Sequence, residues 1–148
     1  MKASVLITNY NNEKYILDCI NSINQQSYKD IEILVNDDNS NDNSTMLIKK
    51  ITNVKLFENK KVTKFYSVNH LSALKNLAKK STGEIIFFLD GDDYFHFEKI
   101  EKIVNSFKNN NNCKIIFDYP VYVYKNKNIF EKKRHKFFKS YWPYIHPT

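Results

Sequence analysis

Glycine is almost missing from this chain: 148 residues contain two, Gly83 and Gly91. Neither the dinucleotide-binding fingerprint nor the P-loop pattern is present, so a glycine-rich phosphate cradle is not expected. Cysteine is equally scarce. Cys19 and Cys113 stand far apart and match no metal or redox spacing, which leaves two free, partly buried thiols in a reducing compartment as the expectation. There is one arginine, Arg134, and three prolines. No apolar run approaches the roughly 20 residues of a membrane span. Met1–Lys2 leads directly into a strand-like segment, without the pattern of a signal peptide. The expected location is cytoplasmic, with peripheral attachment to the inner face of the membrane as an option for the tail.

Lys, Asn, Ile, Phe and Tyr are abundant. All have AT-rich codons, so clusters such as Asn109–Asn112 are not read as functional. The net charge of +7 is unevenly spread. Residues 125–148 hold seven basic side chains against the single acid Glu131, so residues 1–124 are nearly neutral. A uniformly basic nucleic-acid binder would look different, and no nucleic-acid partner is expected. The division reads as a folded domain over 1–124 and a basic aromatic tail over 125–148.

Periodicity sets out the folded part. Ala3–Thr8, Ile31–Asn36, Val54–Glu58 and Glu84–Leu89 are short apolar runs that read as strands, and Lys114–Tyr124 reads as a further strand bent at Pro120. Between them lie helical stripes. They use Ile16, Ile20 and Ile23; Leu47, Ile48 and Ile51; Leu71, Leu74 and Ala78; and Ile100, Ile103, Val104 and Phe107. Gly83 reads as the C-cap of the third helix. Alternating strands and helices predict an α/β fold, a mostly parallel sheet flanked by helices.

The run Ile85–Leu89 lacks alternation, so a strand buried on both faces is expected. It ends in Asp90, Gly91, Asp92 and Asp93. Carboxylates this crowded repel one another unless a cation intervenes, and a hard divalent ion such as Mn²⁺ or Mg²⁺ suits oxygen ligands plus substrate phosphates. Gly91 would let the backbone turn and approach a ligand closely. The plainer alternative makes Asp92 or Asp93 the N-cap of the next helix. A second strand, Ile31–Asn36, also ends in acids, Asp37 and Asp38. Open α/β sheets bind ligands at such strand ends, and two acidic ends sharing one crevice would suit a nucleoside diphosphate: one for base or ribose, the other for a metal on the phosphates.

These residues resemble the family 2 glycosyltransferases, with their Rossmann-like GT-A fold and a DXD motif at a strand C-terminus. The matching stretches are Ser4-Val5-Leu6-Ile7-Thr8-Asn9-Tyr10-Asn11, Ser22 with Gln26-Ser27-Tyr28, Glu32 to Ser40 with Asp42 and Ser44, Ser72 to Asn76, and Thr82-Gly83-Glu84 through Phe88-Leu89-Asp90-Gly91-Asp92-Asp93. The resemblance covers roughly residues 3–110. It implies that Thr8 and Tyr10 line the base pocket, with Tyr10 stacking on the base, and that Asp38 accepts a hydrogen bond from base or ribose. It puts Asp90 near the ribose and the metal shell and makes Asp92 the direct metal ligand. Lys75 stands where many members carry Arg. The implied reaction is transfer of a sugar from a nucleotide sugar, a UDP-sugar favoured, with inversion, onto a glycan or lipid-linked acceptor in bacterial surface-glycan synthesis.

Departures from the pattern bear on that expectation. Thr8 replaces the usual Pro, and His70 stands where Gly precedes the Ser72–Ala73 helix. Members continue well past the DXD motif into an acceptor-binding half, whereas this chain ends at Thr148. Asp118 is the catalytic-base candidate within these limits, and His146 is a candidate third metal ligand. The tail mixes Lys with Phe137, Phe138, Tyr141, Trp142 and Tyr144, which reads as the start of an incomplete acceptor-binding part or as a membrane contact. Three rivals stand beside the enzyme: a non-catalytic nucleotide-binding subunit completed by a partner chain or a homodimer, a membrane- or nucleic-acid-binding module acting through the tail, and a nucleotidyltransferase.

Overall fold

The computed structural model describes residues 1–59 and 63–118, together with the backbone of 122–124 and 127–131. Contacts divide the chain into two compact units, Met1–Asn105 and Ser106–Thr148.

Four parallel strands form the sheet of the first unit: β1 (Ala3–Asn9), β2 (Ile31–Asp37), β3 (Val54–Glu58) and β4 (Ile85–Asp90), in the order β3-β2-β1-β4. The helices are α1 (Ile16–Asn24), α2 (Ser44–Lys49), α3 (Tyr66–Lys80) and α4 (Lys99–Asn109). β1 is buried along its whole length because it has neighbours on both sides. Leu6, Leu34 and Leu77 form a buried cluster with Phe57 against it, which seats α3 over β1 and β2. Val5, Ile7, Ile33, Val35, Phe87 and Leu89 are buried on the opposite face of the sheet. There Phe87 meets Phe95 edge to face, their centroids 6.1 Å apart.

The four strands of this sheet fall where the sequence reading expects them, and three particulars of this unit differ from it. β4 is not buried on both faces. Ile85, Phe87 and Leu89 are buried, while Ile86 and Phe88 are 41% and 60% exposed. β4 is the last strand of the described sheet, and the helix on that face, α3, packs on β1 and β2 instead. Next, α3 begins at Tyr66, and its buried residues are Ala73 and Leu77; Leu71 is 66% exposed. Lastly, Gly83 does not adopt the left-handed conformation of a helix C-cap. It is needed for close approach: a Cβ there would sit 2.4 Å from Ser4 Oγ and 2.7 Å from the Ser4 nitrogen.

At the N-terminal end of the sheet Glu32 is buried and surrounded by donors. Ser4 Oγ and the Thr82 N–H each donate to Oε1 at 2.6 Å, and the Thr82 hydroxyl donates at 3.0 Å. Lys55 and Lys2 approach Oε2 at 3.0 and 3.4 Å. Burial alone would raise the Glu32 pKa, but the hydrogen bonds from Ser4, Thr82 and Lys55 outweigh it and hold the carboxyl far below the usual range. A carboxyl with a depressed folded-state pKa stabilises the fold above its unfolded pKa and loses that contribution as pH falls towards its folded one. Glu32→Gln is therefore expected to cost about 2 kcal/mol at pH 7. Urea melts should show the deficit shrinking below about pH 4; a deficit independent of pH would contradict the charge-based account.

In the second unit, β5 (Tyr122–Tyr124) and β6 (Lys127–Glu131) pair antiparallel. Of the strand expected over Lys114–Tyr124, residues 122–124 are strand, as β5, and residues 114–118 are not. The tail aromatics from Phe137 onward, and His146 with them, lie outside the described residues.

Candidate functional site

The register of the sheet brings the two acidic strand ends together. Thr8 on β1 lies opposite Asn36 on β2 and Asp90 on β4. The backbone stays paired one step further: the Asp38 N–H donates to the Asn9 carbonyl and the Gly91 N–H to the Thr8 carbonyl, both at 2.9 Å. The chain runs outward from β1 to β3 and then returns to the other side of β1 as β4. Open α/β sheets leave a crevice at this reversal. Thr8, Tyr10, Asp38, Asp90 and Asp92 all line it, joined by Asn9, Tyr66 and His70.

Each acid is held differently. Asp90 accepts from the Thr8 hydroxyl at 2.8 Å and is otherwise half open to solvent. Asp92 is exposed at the tip of the turn that the Asp93 N–H closes on the Asp90 carbonyl at 3.0 Å. α4 starts at Lys99, so neither Asp92 nor Asp93 caps it. Asp38 is buried; Asn36 and Asn59 donate to its Oδ1 at 3.0 and 2.6 Å. Asn36 is itself fixed by Asn76 of α3 at 3.0 Å.

The cluster produces a strong negative field. Burial raises the pKa of Asp93, and Asp92 and Asp90 raise it further. Burial also raises Asp38, partly offset by the Asn59 hydrogen bond. The Tyr66 phenol is pushed up by burial and then by Asp90, Asp92 and Asp38. The Cys19 thiol, 3.6 Å from the Asp90 carbonyl, is driven up by burial and by Asp93, Asp92 and Asp90. An all-oxygen donor set in such a field suits a hard divalent cation. Among the described residues no three His, Cys, Asp or Glu side chains are grouped to hold an ion unaided. Ligand oxygens or water would have to complete its shell.

Gly91 keeps a conventional negative φ. Its missing Cβ makes room for the protein rather than for a ligand, since a Cβ would meet Asn12 Nδ2 at 2.9 Å and Asn9 Oδ1 at 3.0 Å. Asn9 is one member of the site that sequence patterning passed over, and Tyr66 is another. Asn9 is buried, and its Nδ2 donates to Asp37 Oδ1 at 2.6 Å, while its Oδ1 has no partner among the described residues. A polar residue in register with the core of a strand was the available signal.

Two other sequence candidates stand apart. Lys75 is exposed on α3, two residues from each of the buried Ala73 and Leu77 and therefore on the face turned from the sheet. Asp118 belongs to the second unit, is exposed, and has no strand before it, so the strand-end position expected for it is not observed. A larger hollow of about 630 Å³ lies beyond Asp37, lined by Ser40, Met46, Lys49 and Glu58 among others. Within it Lys49 pairs with Glu58 at 2.6 Å, and Asp37 accepts from Asn9 and Ser40.

Comparison with known proteins points to one family. The family model "Glycosyl transferase family 2" matches residues 4–147. The poly(ribitol-phosphate) beta-N-acetylglucosaminyltransferase TarP of Staphylococcus aureus is 37% identical over 125 residues, spanning 81% of this chain and 37% of TarP. The Escherichia coli UDP-Glc:alpha-D-GlcNAc-diphosphoundecaprenol beta-1,3-glucosyltransferase WfgD is 31% identical, over 84% of this chain and 47% of WfgD. The crystal structure of S. aureus TarS 1-349 in complex with UDP-GlcNAc superposes with a TM-score of 0.64 at 29% identity, over 74% of this chain and 32% of TarS 1-349. The chain thus spans less than half the length of each of these relatives.

Proposed function

The chain belongs to glycosyltransferase family 2, and from that premise we propose that it binds a nucleoside-diphosphate sugar, a UDP-sugar, in the crevice between the β2 and β4 ends. The observation that carries this reading is the convergence of Asp38 and Asp90 on either side of Thr8 at the reversal of strand order. The reactions that TarP and WfgD are named for support transfer to a glycan or lipid-linked acceptor, and the UDP-GlcNAc complex of TarS supports UDP as the carrier.

Tyr10, 46% exposed at the rim, stacks on the base. Asn36 and Asn59 hold Asp38 by Oδ1, so its Oδ2 meets a donor on base or ribose. Thr8 orients the Asp90 carboxylate towards the ribose and the metal shell. Asp92, with Asp90 beside it, would hold Mn²⁺ or Mg²⁺; that ion supplies Lewis-acid stabilisation of the negative charge on a departing diphosphate. Transfer forms a bond from the acceptor oxygen to the anomeric carbon and breaks the bond to the diphosphate, with inversion. The acceptor proton passes to a carboxylate base, for which Asp118 remains the proposal. Lys75 would act only at the outer edge of the donor site.

The second reading is a donor-binding subunit that transfers the sugar only when completed by a partner chain or a second copy. One experiment separates the readings. Thermal stability is measured with UDP, GDP and CDP, each with and without Mn²⁺, and a transfer assay from UDP-sugar follows. Stabilisation that needs both UDP and metal supports the donor site, and product formation supports the enzyme. Stabilisation without product leaves the binding subunit, and no stabilisation by any nucleotide rejects both.

A further inference from the structure

The loops that leave β1 and β2 are tied to each other. Asn11 follows Tyr10, and Asn39 follows Asp38; both asparagines hold a left-handed backbone, with φ of 54° and 61°. No other described residue has a φ of that sign. Asparagine is among the few L-residues that visit this region readily. The chain therefore turns sharply just after each of the two residues assigned above to the base.

Crossed hydrogen bonds lock the turns. The Asn11 N–H donates to Ser40 Oγ, and the Asn41 N–H donates to Asn11 Oδ1, both at 2.9 Å. Ser40 Oγ donates in turn to Asp37 Oδ1 at 2.6 Å. Further along, the exchange repeats. The Glu13 N–H donates to Asp42 Oδ2, and the Asn43 N–H to Glu13 Oε2, again at 2.9 Å each. All four crossing bonds join a backbone N–H of one loop to a side chain of the other, 29 or 30 residues away. They fix the backbone of both loops, not merely the tips of their side chains.

Tyr10 depends on this clasp more than Asp38 does. Asp38 is held by bonds to its own carboxylate. The Tyr10 side chain is half exposed and makes no hydrogen bond within the described residues. Its direction is set by the backbone on either side, through Asn9 bound to Asp37 and Asn11 in the clasp. A stacking residue already fixed in the free protein need not be ordered when the base arrives, and such preorganisation appears as affinity. Resting on the donor-site reading above, we infer that Asn11 is a positioning residue for the base: its side-chain bond to the second loop holds Tyr10 in a fixed relation to Asp38. Asn11 does not itself line the crevice and acts through Tyr10.

The test is isothermal titration of the full chain with Mn²⁺, using UDP and ribose 5-diphosphate, which is UDP without its base. Asn11→Gly accepts the left-handed backbone and deletes only the amide. It should weaken UDP about fivefold and ribose 5-diphosphate less than about twofold. Asn11→Asp keeps an acceptor at Oδ1 and tolerates positive φ. It should restore the preference for UDP over the base-free ligand, whatever its added charge does to both. Equal losses for the two ligands, no loss for UDP, or no recovery of the preference in Asn11→Asp would each overturn the inference. Both ligands are measured on the same sample, so a variant that has partly unfolded loses both alike and counts against it. If the unaltered chain binds neither ligand, the donor-site reading falls and the inference with it. If it binds both equally, the base contact falls, and Asn11 has nothing to position. If it prefers UDP and Asn11→Gly keeps that preference, only the role of Asn11 falls.

Discussion

Asp92→Ala is expected to abolish the metal-dependent stabilisation of this protein by UDP while leaving the unliganded fold intact. Asp92 is exposed on a turn, and its carboxylate faces two others in Asp90 and Asp93. Surface substitutions of this kind change stability by less than about 0.5 kcal/mol, and loss of one of three crowded anions relieves repulsion. The effect on binding is of another order. A ligand at about 100 times its Kd stabilises the folded state by about 2.7 kcal/mol. For a chain of this length that corresponds to a rise of roughly 5–10 °C in melting temperature. With Asp92 gone, Asp90 is left to compete with water for the ion alone, and the rise with UDP and Mn²⁺ together should fall below about 1 °C. Differential scanning fluorimetry of both proteins, with EDTA-treated controls, reads the difference directly. A full UDP–Mn²⁺ shift in Asp92→Ala would remove Asp92 from the metal site.

Why some of this was legible in sequence and some was not is a matter of range. β3 runs over Val54–Glu58 as periodicity placed it, and β1, β2 and β4 extend by one residue at their C-termini. Unalternating apolar runs ending in polar residues give a local signal for buried parallel strands. The same local signal misjudged β4, because exposure of Ile86 and Phe88 depends on where α3 packs and on which strand ends the sheet. Helix α3 starts at Tyr66, ahead of the expected Leu71, since its first turns serve the crevice with Tyr66 and His70 and bury no aliphatic stripe. Asp38 and Asp90 were readable as acids after apolar runs, but their convergence required the strand order. Asn9, Asn59 and Asn76 sit in the site's hydrogen-bond network in a chain whose many asparagines blur any compositional signal. Gly83 looked like a helix stop and is a clearance for Ser4, a contact 79 residues away in sequence.

Gln26→Leu is the substitution expected to damage the fold most, and through the fold the acidic turn. Gln26 is fully buried at the C-cap region of α1. Its Nε2 donates to the Ser22 carbonyl at 3.0 Å and to the His96 carbonyl at 2.8 Å, and its Oε1 accepts from the Ile100 N–H at 3.0 Å. Neighbouring bonds run the same way: the Phe95 N–H donates to Ser22 Oγ at 3.0 Å, and the Ser27 N–H to the Phe97 carbonyl at 3.1 Å. One edge of α1 therefore holds the whole segment that leads from Asp93 into α4. Leucine fills a similar volume, so the cost is not a cavity. It lies chiefly in the buried Ile100 N–H, which loses its partner at about 1–3 kcal/mol; the His96 carbonyl keeps the Lys99 N–H at 3.0 Å. A loss of about 2–3 kcal/mol, roughly 5–10 °C in melting temperature, is expected. Hydrogen exchange should localise it, with faster exchange at Phe95 and Ile100 than along β1. UDP–Mn²⁺ affinity should also fall, because the turn carrying Asp92 is no longer held from behind. A stability loss below about 1 kcal/mol would mean that the segment repacks around leucine, and that Gln26 fills space without tying α1 to the turn.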